Sequence, residues 1–186
     1  MNIGLEFERF CGYNLEKNGY SVKYWGILKG KSDGGIDLIA TNKNKTLYVQ
    51  CKYWGNSKTI RENTIAQLFG ASLKMALDNK ETYESFIEKI KNKKIEMALF
   101  TKTDLSQEAK DFCKKLNIKY IENIEIEEYP RVKLVEGTEK IFYIPSDLQY
   151  DNIVIKSTNK KYSRVSTCAE ANQKGFRHCF KWRGNE

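Results

Sequence analysis

Apolar residues recur along the start of the chain at helical intervals. Ile3, Phe7, Phe10, Cys11 and Leu15 fall on one stripe, which predicts a helix over 3–17 that Asn18-Gly19 would end. The pattern then changes. Residues 20–27 (YSVKYWGI) are rich in strand formers, GKSDGG reads as a loop, and IDLIAT and TLYVQC read as two strands flanking the polar turn NKNK. Helical spacing returns between Ile60 and Leu77 through Ile65, Leu68, Phe69 and Ala76, and Tyr83, Phe86, Ile87 and Ile90 mark a shorter helix. Residues 95–101 (IEMALFT) have the length and apolar density of a strand. Ala109, Phe112, Cys113 and Leu116 form another helical stripe, with Asp104 or Ser106 as its N-cap, and IKYIENI predicts a last strand and a short turn of helix. The order α-β-β-β-α-β-α-β is that of a mixed α/β fold in which one hairpin replaces a crossover.

The texture changes after residue 130. Both prolines, Pro130 and Pro145, lie there, and helical stripes fade except near CAEANQK. The chain therefore divides into a first domain over 1–129 and a small β-rich subdomain over 130–186.

Composition narrows the function. With 40% hydrophobic residues in 186, there is enough apolar surface for a core. No apolar run approaches the roughly 18 to 20 residues of a membrane span. MNIGLEFERF has acids where a signal peptide would have a basic region, so a cytoplasmic protein without membrane partners is expected. Five cysteines with no close CxxC pair agree, as reduced thiols. A single histidine, His178, argues against chemistry that needs several. With Cys168 and Cys179 it makes a poor tetrahedral zinc set, two of the three being adjacent, so these read as structural thiols. Gly26-Ile-Leu-Lys-Gly30-Lys31-Ser32 has one residue too few for a phosphate-binding P-loop and leads into a strand, which excludes a nucleotide cofactor on that motif. The formal charge is +8, and residues 131–186 hold 11 of the 32 basic but only 6 of the 24 acidic side chains. A polyanionic partner and a solvated Lys-rich surface both fit that balance.

The hairpin carries the chemistry. If its turn centres between Lys43 and Asn44, Asp37 lies across from Gln50. One face is then entirely apolar (Ile36, Leu38, Ala40, Leu47, Val49, Cys51) and reads as the core face. The other presents Asp37, Gln50 and Lys52, an acid, an amide and an amine, opposite the core. A solvated outer face has the same composition, so the residues alone leave both readings open. Gly34-Gly35 before Ile36-Asp37 allows close approach of another backbone or a ligand. The Cys51 carbonyl is available as an oxygen ligand, and Glu6 and Glu8 sit on the shoulders of the first helix's apolar stripe.

Gly4-Leu5-Glu6-Phe7-Glu8, Gly19-Tyr20-Ser21-Val22, Asp33-Gly34-Gly35-Ile36-Asp37-Leu38-Ile39 and Val49-Gln50-Cys51-Lys52 match in order and spacing the Mrr-type restriction endonuclease domain of the PD-(D/E)xK nuclease superfamily. Gln67-Leu68-Phe69-Gly70-Ala71 and FTKTDLSQEAKDF fit as well, so the resemblance covers about residues 3–125. It implies a restriction-endonuclease-like three-layer α/β/α fold with a central mixed sheet, beside the small β-rich C-terminal subdomain. It also implies a catalytic set of Glu8, Asp37, Gln50 and Lys52. Asp37, Glu8 and the Cys51 carbonyl would hold Mg²⁺, with Mn²⁺ able to substitute, and Lys52 would orient the attacking water. Gln50 stands where many relatives carry an acid. The GxxFE match favours Glu8, with Glu6 as the fallback, and Asp33 serves either the family position or loop capping.

The resemblance implies double-stranded DNA as substrate and a homodimer for two-strand cleavage, in restriction or phage defence. A junction-type, structure-selective nuclease and a catalytically silent DNA-binding module are the alternatives. The tail resembles a small accessory module of bacterial nucleases. Its Arg177, Lys181, Trp182 and Arg183 interleave basic and aromatic groups suited to phosphates and bases, or rim a small core.

Overall fold

The computed structural model describes residues 2–30, 34–55, 58–155 and 159–179. Its main sheet has five strands in the order β1-β2-β3-β4-β5, formed by Ser21–Lys23, Leu38–Thr41, Thr46–Lys52, Ile95–Thr101 and Ile118–Ile121. The first three run antiparallel as a meander, while β3, β4 and β5 are parallel. The register is the one the hairpin pattern predicts, with Leu38 opposite Val49 and Thr41 opposite Thr46. Asn42 N donates to the Lys45 carbonyl at 3.1 Å, closing the turn around Lys43 and Asn44.

Helix α1 (Ile3–Lys17) is capped by the Asn2 side chain, which accepts from Gly4 N and Leu5 N. Its Phe7, Cys11 and Leu15 pack on one face of the sheet against Leu38, Ala40, Leu47 and Val49. The opposite face is covered by α3 (Glu62–Asp78), α4 (Tyr83–Lys91) and α5 (Gln107–Leu116), whose Ile65, Leu68, Phe86 and Ala109 meet Tyr48, Met97 and Leu99. This is the three-layer α/β/α arrangement, with both sheet faces buried as the parallel β3-β4-β5 segment requires. Each fully buried Leu, Ile or Phe contributes roughly 1.5–3 kcal/mol.

Four expectations need correction. The face carrying Gln50 is not opposite the core: it lies under α3, and Gln50 is 0% exposed. Ile36 does not share a face with Leu38 but joins the cluster under α3, because the chain enters β2 through Gly34 and Gly35 at positive φ, which resets the side-chain alternation. Residues 20–27 are not one strand. The strand stops at Lys23, and Trp25–Lys29 form a short helix, α2, in which Leu28 N donates to the Tyr24 carbonyl and Gly26 N to that of Asp37. Nor does a helical turn follow β5. Asn123 takes a left-handed φ of 57°, Ile124 N bonds the Thr101 carbonyl, and Ile124 and Ile126 lie on the α1-side core as extended chain.

The C-terminal part forms a second, four-stranded sheet ordered β8-β6-β7-β9, built from Tyr162–Val165, Val132–Glu136, Lys140–Tyr143 and Arg177–His178. Helix α6 (Cys168–Gln173) places Ala171 over its small core. This sheet is joined to α1 and its neighbours by buried polar contacts. Arg164 grips Glu16 through Nε at 2.8 Å and a second guanidinium nitrogen at 3.1 Å, and Arg9 holds both Asp151 oxygens. Lys133 is fully buried. Its ammonium donates to the Tyr150 and Ile153 carbonyls and lies over the rings of Tyr24 and Tyr150. No helix among the described residues is long and apolar enough to cross a membrane.

Candidate active site

The site forms where β2 ends early. The ladder stops at Leu38 opposite Val49, one pair short of Asp37 and Gln50, and Asp37 N instead donates to the Val49 carbonyl at 2.8 Å. Beyond that point the edge of β3 has no ladder partner from β2. The Asp37 side chain turns into the gap and its Oδ2 accepts from Cys51 N at 2.6 Å. A strand residue presents its N–H and C=O to the same side, so the Cys51 carbonyl leaves β3 towards Asp37 as well. Lys52, the next residue, sends its carbonyl the other way, to Lys102 N.

Glu8 reaches the same place from α1. A Cβ built on Gly26 would stand 2.9 Å from Asp37 Oδ1 and 3.2 Å from Glu8 Oε2, so two carboxylate oxygens from different elements border one small space. Only a glycine at the start of α2 leaves that space open. Glu6 faces elsewhere: it accepts from the Tyr129 hydroxyl at 2.8 Å and pairs with Arg131 at 3.0 Å. Positions two apart on a helix diverge by about 200°, which separates the two acids.

Gln50 approaches from beneath α3. Its Oε1 is buried and has no hydrogen-bond partner among the described residues, while its Nε2 donates to Gln67 Oε1 at 3.4 Å. Lys52 is half-buried at the end of β3. The Cys51 thiol is held well above its ordinary pKa by burial first, then by the neighbouring Cys11 thiol and the charges of Asp37 and Glu8. It therefore stays protonated and contributes its backbone, not its sulfur. Asp37 and Glu8 border one space, and the Cys51 carbonyl and the Gln50 amide add neighbouring oxygens on β3, the donor chemistry that a hard divalent cation takes. The orphaned Gln50 Oε1 is an acceptor that such a cation would satisfy.

The structure thus brings Glu8, Asp37 and the Cys51 backbone together, sets Gln50 and Lys52 beside them on β3, and gives Glu6 to Tyr129 and Arg131, in the segment ahead of β6. Of the tail residues, the Arg177 guanidinium pairs with Glu139 and donates to the His178 carbonyl. Lys181, Trp182 and Arg183, like Asp33, lie outside the described residues. His178 and Cys179 do cluster, but with Asp147 and not Cys168, their ligand atoms within 4.8 Å. Asp147 is already engaged there, accepting from Ile144 N and contacting His178 Nε2, which ties β9 to the preceding loop.

Several residues at the site escaped the sequence reading. Lys23 and Lys29 lie over the Trp25 ring and Lys58 over that of Trp54, on the segments following β1 and β3. A signal was available: the tetrapeptide Lys-Tyr-Trp-Gly occurs at 23–26 and again at 52–55. Gly26 had no such mark, and Gln67 stood in a matching segment without a role, because both act through contacts between segments distant in sequence.

A family described as restriction endonuclease (Mrr_cat) matches residues 2–138, from the start of α1 through β6. No curated protein matches. Two solved structures are similar. A protein of unknown function, AF1548, is 22% identical with a TM-score of 0.38 over 63% of this chain and 58% of its own. The MspJI restriction endonuclease in complex with a 27-mer oligonucleotide is 12% identical with a TM-score of 0.42 over 65% of this chain and 25% of its own. The chain therefore corresponds to about three fifths of the first and a quarter of the second.

Proposed function

We propose that this chain, which belongs to the Mrr-type family of restriction endonuclease catalytic domains, is a divalent-metal-dependent endonuclease that hydrolyses phosphodiester bonds of double-stranded DNA. The observation that carries this reading is the convergence of Asp37 Oδ1 and Glu8 Oε2 on the space beside Gly26. It is reinforced by the Asp37 grip on Cys51 N and by the orphaned Gln50 oxygen.

In this reading Asp37 and Glu8, the Cys51 carbonyl and Gln50 Oε1 hold Mg²⁺, with Mn²⁺ able to replace it. When bound, the cation supplies a more acidic water and neutralises charge developing on the phosphate. Asp37 divides its oxygens: Oδ2 is fixed by Cys51 N, which aims Oδ1 at the ligand space. Gln50 brings no charge, so the two carboxylates provide the negative potential of the site. Lys52 offers a positive donor at the end of β3, where it orients the attacking water and offsets charge on the scissile phosphate. The lysines stacked on Trp25 and Trp54 supply backbone contacts flanking the site. A second copy of the chain provides the second cut of a double-strand break, and restriction of foreign DNA is the biological setting.

The test is cleavage of supercoiled plasmid, methylated and unmethylated, in Mg²⁺ or EDTA, by wild type and by Lys52→Ala. Nicking that needs Mg²⁺ and falls at least about a hundredfold in the variant is expected. A fully active Lys52→Ala enzyme would remove Lys52 from the site. Salt-sensitive DNA binding without cleavage of any substrate would instead support a silent binding module, and cleavage confined to branched DNA a junction nuclease.

A further inference from the structure

Gly35 sits between two side-chain amides. A Cβ there would lie 2.9 Å from both Cδ and Nε2 of Gln67 and 3.0 Å from Nε2 of Gln50, and the backbone is at φ +102°. The contact joins β3 to α3, and Gln67 lies on the exposed side of that helix, above the buried Gln50. Across it, Gln50 Nε2 donates to Gln67 Oε1, while Gln50 Oε1 is left buried with no hydrogen-bond partner among the described residues.

A glutamine at a ligand position carries a difficulty that an acid does not. Its two ends are nearly the same shape but opposite in polarity, and only the oxygen binds a cation. Turned over, the amide would present two N–H groups to the metal. Which end faces inward is decided by what the other end meets. Here the other end meets an acceptor oxygen.

We infer that Gln67 is the positioning residue that selects the metal-binding orientation of Gln50, by accepting from its Nε2 and so turning Oε1 to the cation. Gly35 is the glycine that lets the two amides meet. This inference rests on the function proposed above and adds a residue to that site. It also explains why a neutral amide serves at this strand position: the missing charge is tolerated because the dipole is held one way round.

The test uses full-length protein and Mn²⁺ as the probe. Its affinity is read by calorimetry without DNA, with the Mg²⁺ dependence of plasmid nicking as a second readout. Gln67→Leu removes the acceptor and is expected to weaken Mn²⁺ binding about tenfold, as loss of a residue supporting a metal ligand does. Gln67→Glu keeps an acceptor and should bind at least as tightly as wild type. The decisive comparison is made in Gln50→Glu protein, where both ends of the side chain are oxygens and no orientation needs selecting. There Gln67→Leu should change the affinity less than about twofold.

An unchanged affinity for Gln67→Leu overturns the inference, as does a tenfold loss that persists beside Gln50→Glu. Gln67 is exposed, so melting temperatures of the variants should match wild type, and a large drop would assign it a packing role instead. If wild type neither binds Mn²⁺ nor nicks DNA, it is the proposed function that fails.

Discussion

Asp37 gives its two oxygens different tasks, and substitutions can separate them. Oδ2 satisfies the Cys51 N–H on a strand edge that β2 no longer covers, and Oδ1 borders the space shared with Glu8. Asparagine keeps an acceptor for Cys51 N but loses the charge. Asp37→Asn is therefore expected to abolish cleavage while leaving urea unfolding close to wild type. Asp37→Ala removes both roles and strands a buried N–H, which destabilises by about 1–3 kcal/mol. Equal stability of the two variants would show that the 2.6 Å bond contributes nothing. At this scale the sequence was informative where chemistry repeats a local pattern: Asp37, Gln50 and Lys52 stand out from hairpin register and residue type. Helix periodicity could not choose Glu8 over Glu6, since both flank the same stripe; the GxxFE resemblance favoured Glu8, and the surroundings of α1 send Glu6 to Tyr129 and Glu8 to Gly26.

Among the elements, α1 depends on a close approach. Gly12 faces the Tyr24 ring, and a Cβ there would stand 2.4 Å from Cε1 and 2.6 Å from the hydroxyl oxygen. Tyr24 is fully buried and donates to Glu16, so the ring has little freedom to withdraw. Gly12→Ala should lower stability by about 1–3 kcal/mol, as overpacking of a filled core does, even though alanine is the better helix former. Thermal or urea unfolding measures it, and a stabilised variant would show that the contact is loose. The longer helices and β4 were legible because their periodicity runs over several turns or a full strand. Helix α2 was not: five residues are too few for a period, and Tyr24 and Trp25 favour strands. Its first turn closes because Asp37 and Tyr24 offer carbonyls to Gly26 N and Leu28 N. The polar face of the hairpin was misread for a related reason. Alternation tells which residues share a face, not whether a second helical layer covers it.

For the whole molecule, the contact between the two sheets adds a pH dependence. Burial first, and the charge of Arg164 second, lower the Lys133 ammonium from its ordinary 10.5 to about 7. Between those values the unfolded chain holds a proton there that the folded chain has lost, so this residue's contribution to stability rises with pH from about 7 upward. Near pH 10 the sign turns, because unfolded tyrosines ionise while burial keeps the Tyr24 and Tyr129 hydroxyls neutral. Urea midpoints should climb between pH 7 and 9, and Lys133→Met should flatten the climb. A profile unchanged by that substitution would mean that Lys133 does not titrate in this range. The change of texture after residue 130 marked the second sheet, but its buried polar contacts with α1 were invisible, because Glu16 and Arg164 lie far apart and each reads as an ordinary surface charge.

Helix α1 is committed on two sides at once: Glu8 to the space beside Gly26, and Glu6, Arg9 and Glu16 to partners in the chain from Tyr129 onward that runs on into the second sheet. The consequence is one for module exchange. A foreign C-terminal unit grafted onto this nuclease fold inherits a set of sockets: two buried carboxylates asking for guanidinium donors and one guanidinium asking for an acid. A transplant that leaves them empty would loosen the helix that carries a proposed metal ligand. Compatible modules should therefore be sought by the charges they bring to α1 before any likeness in their own sheets.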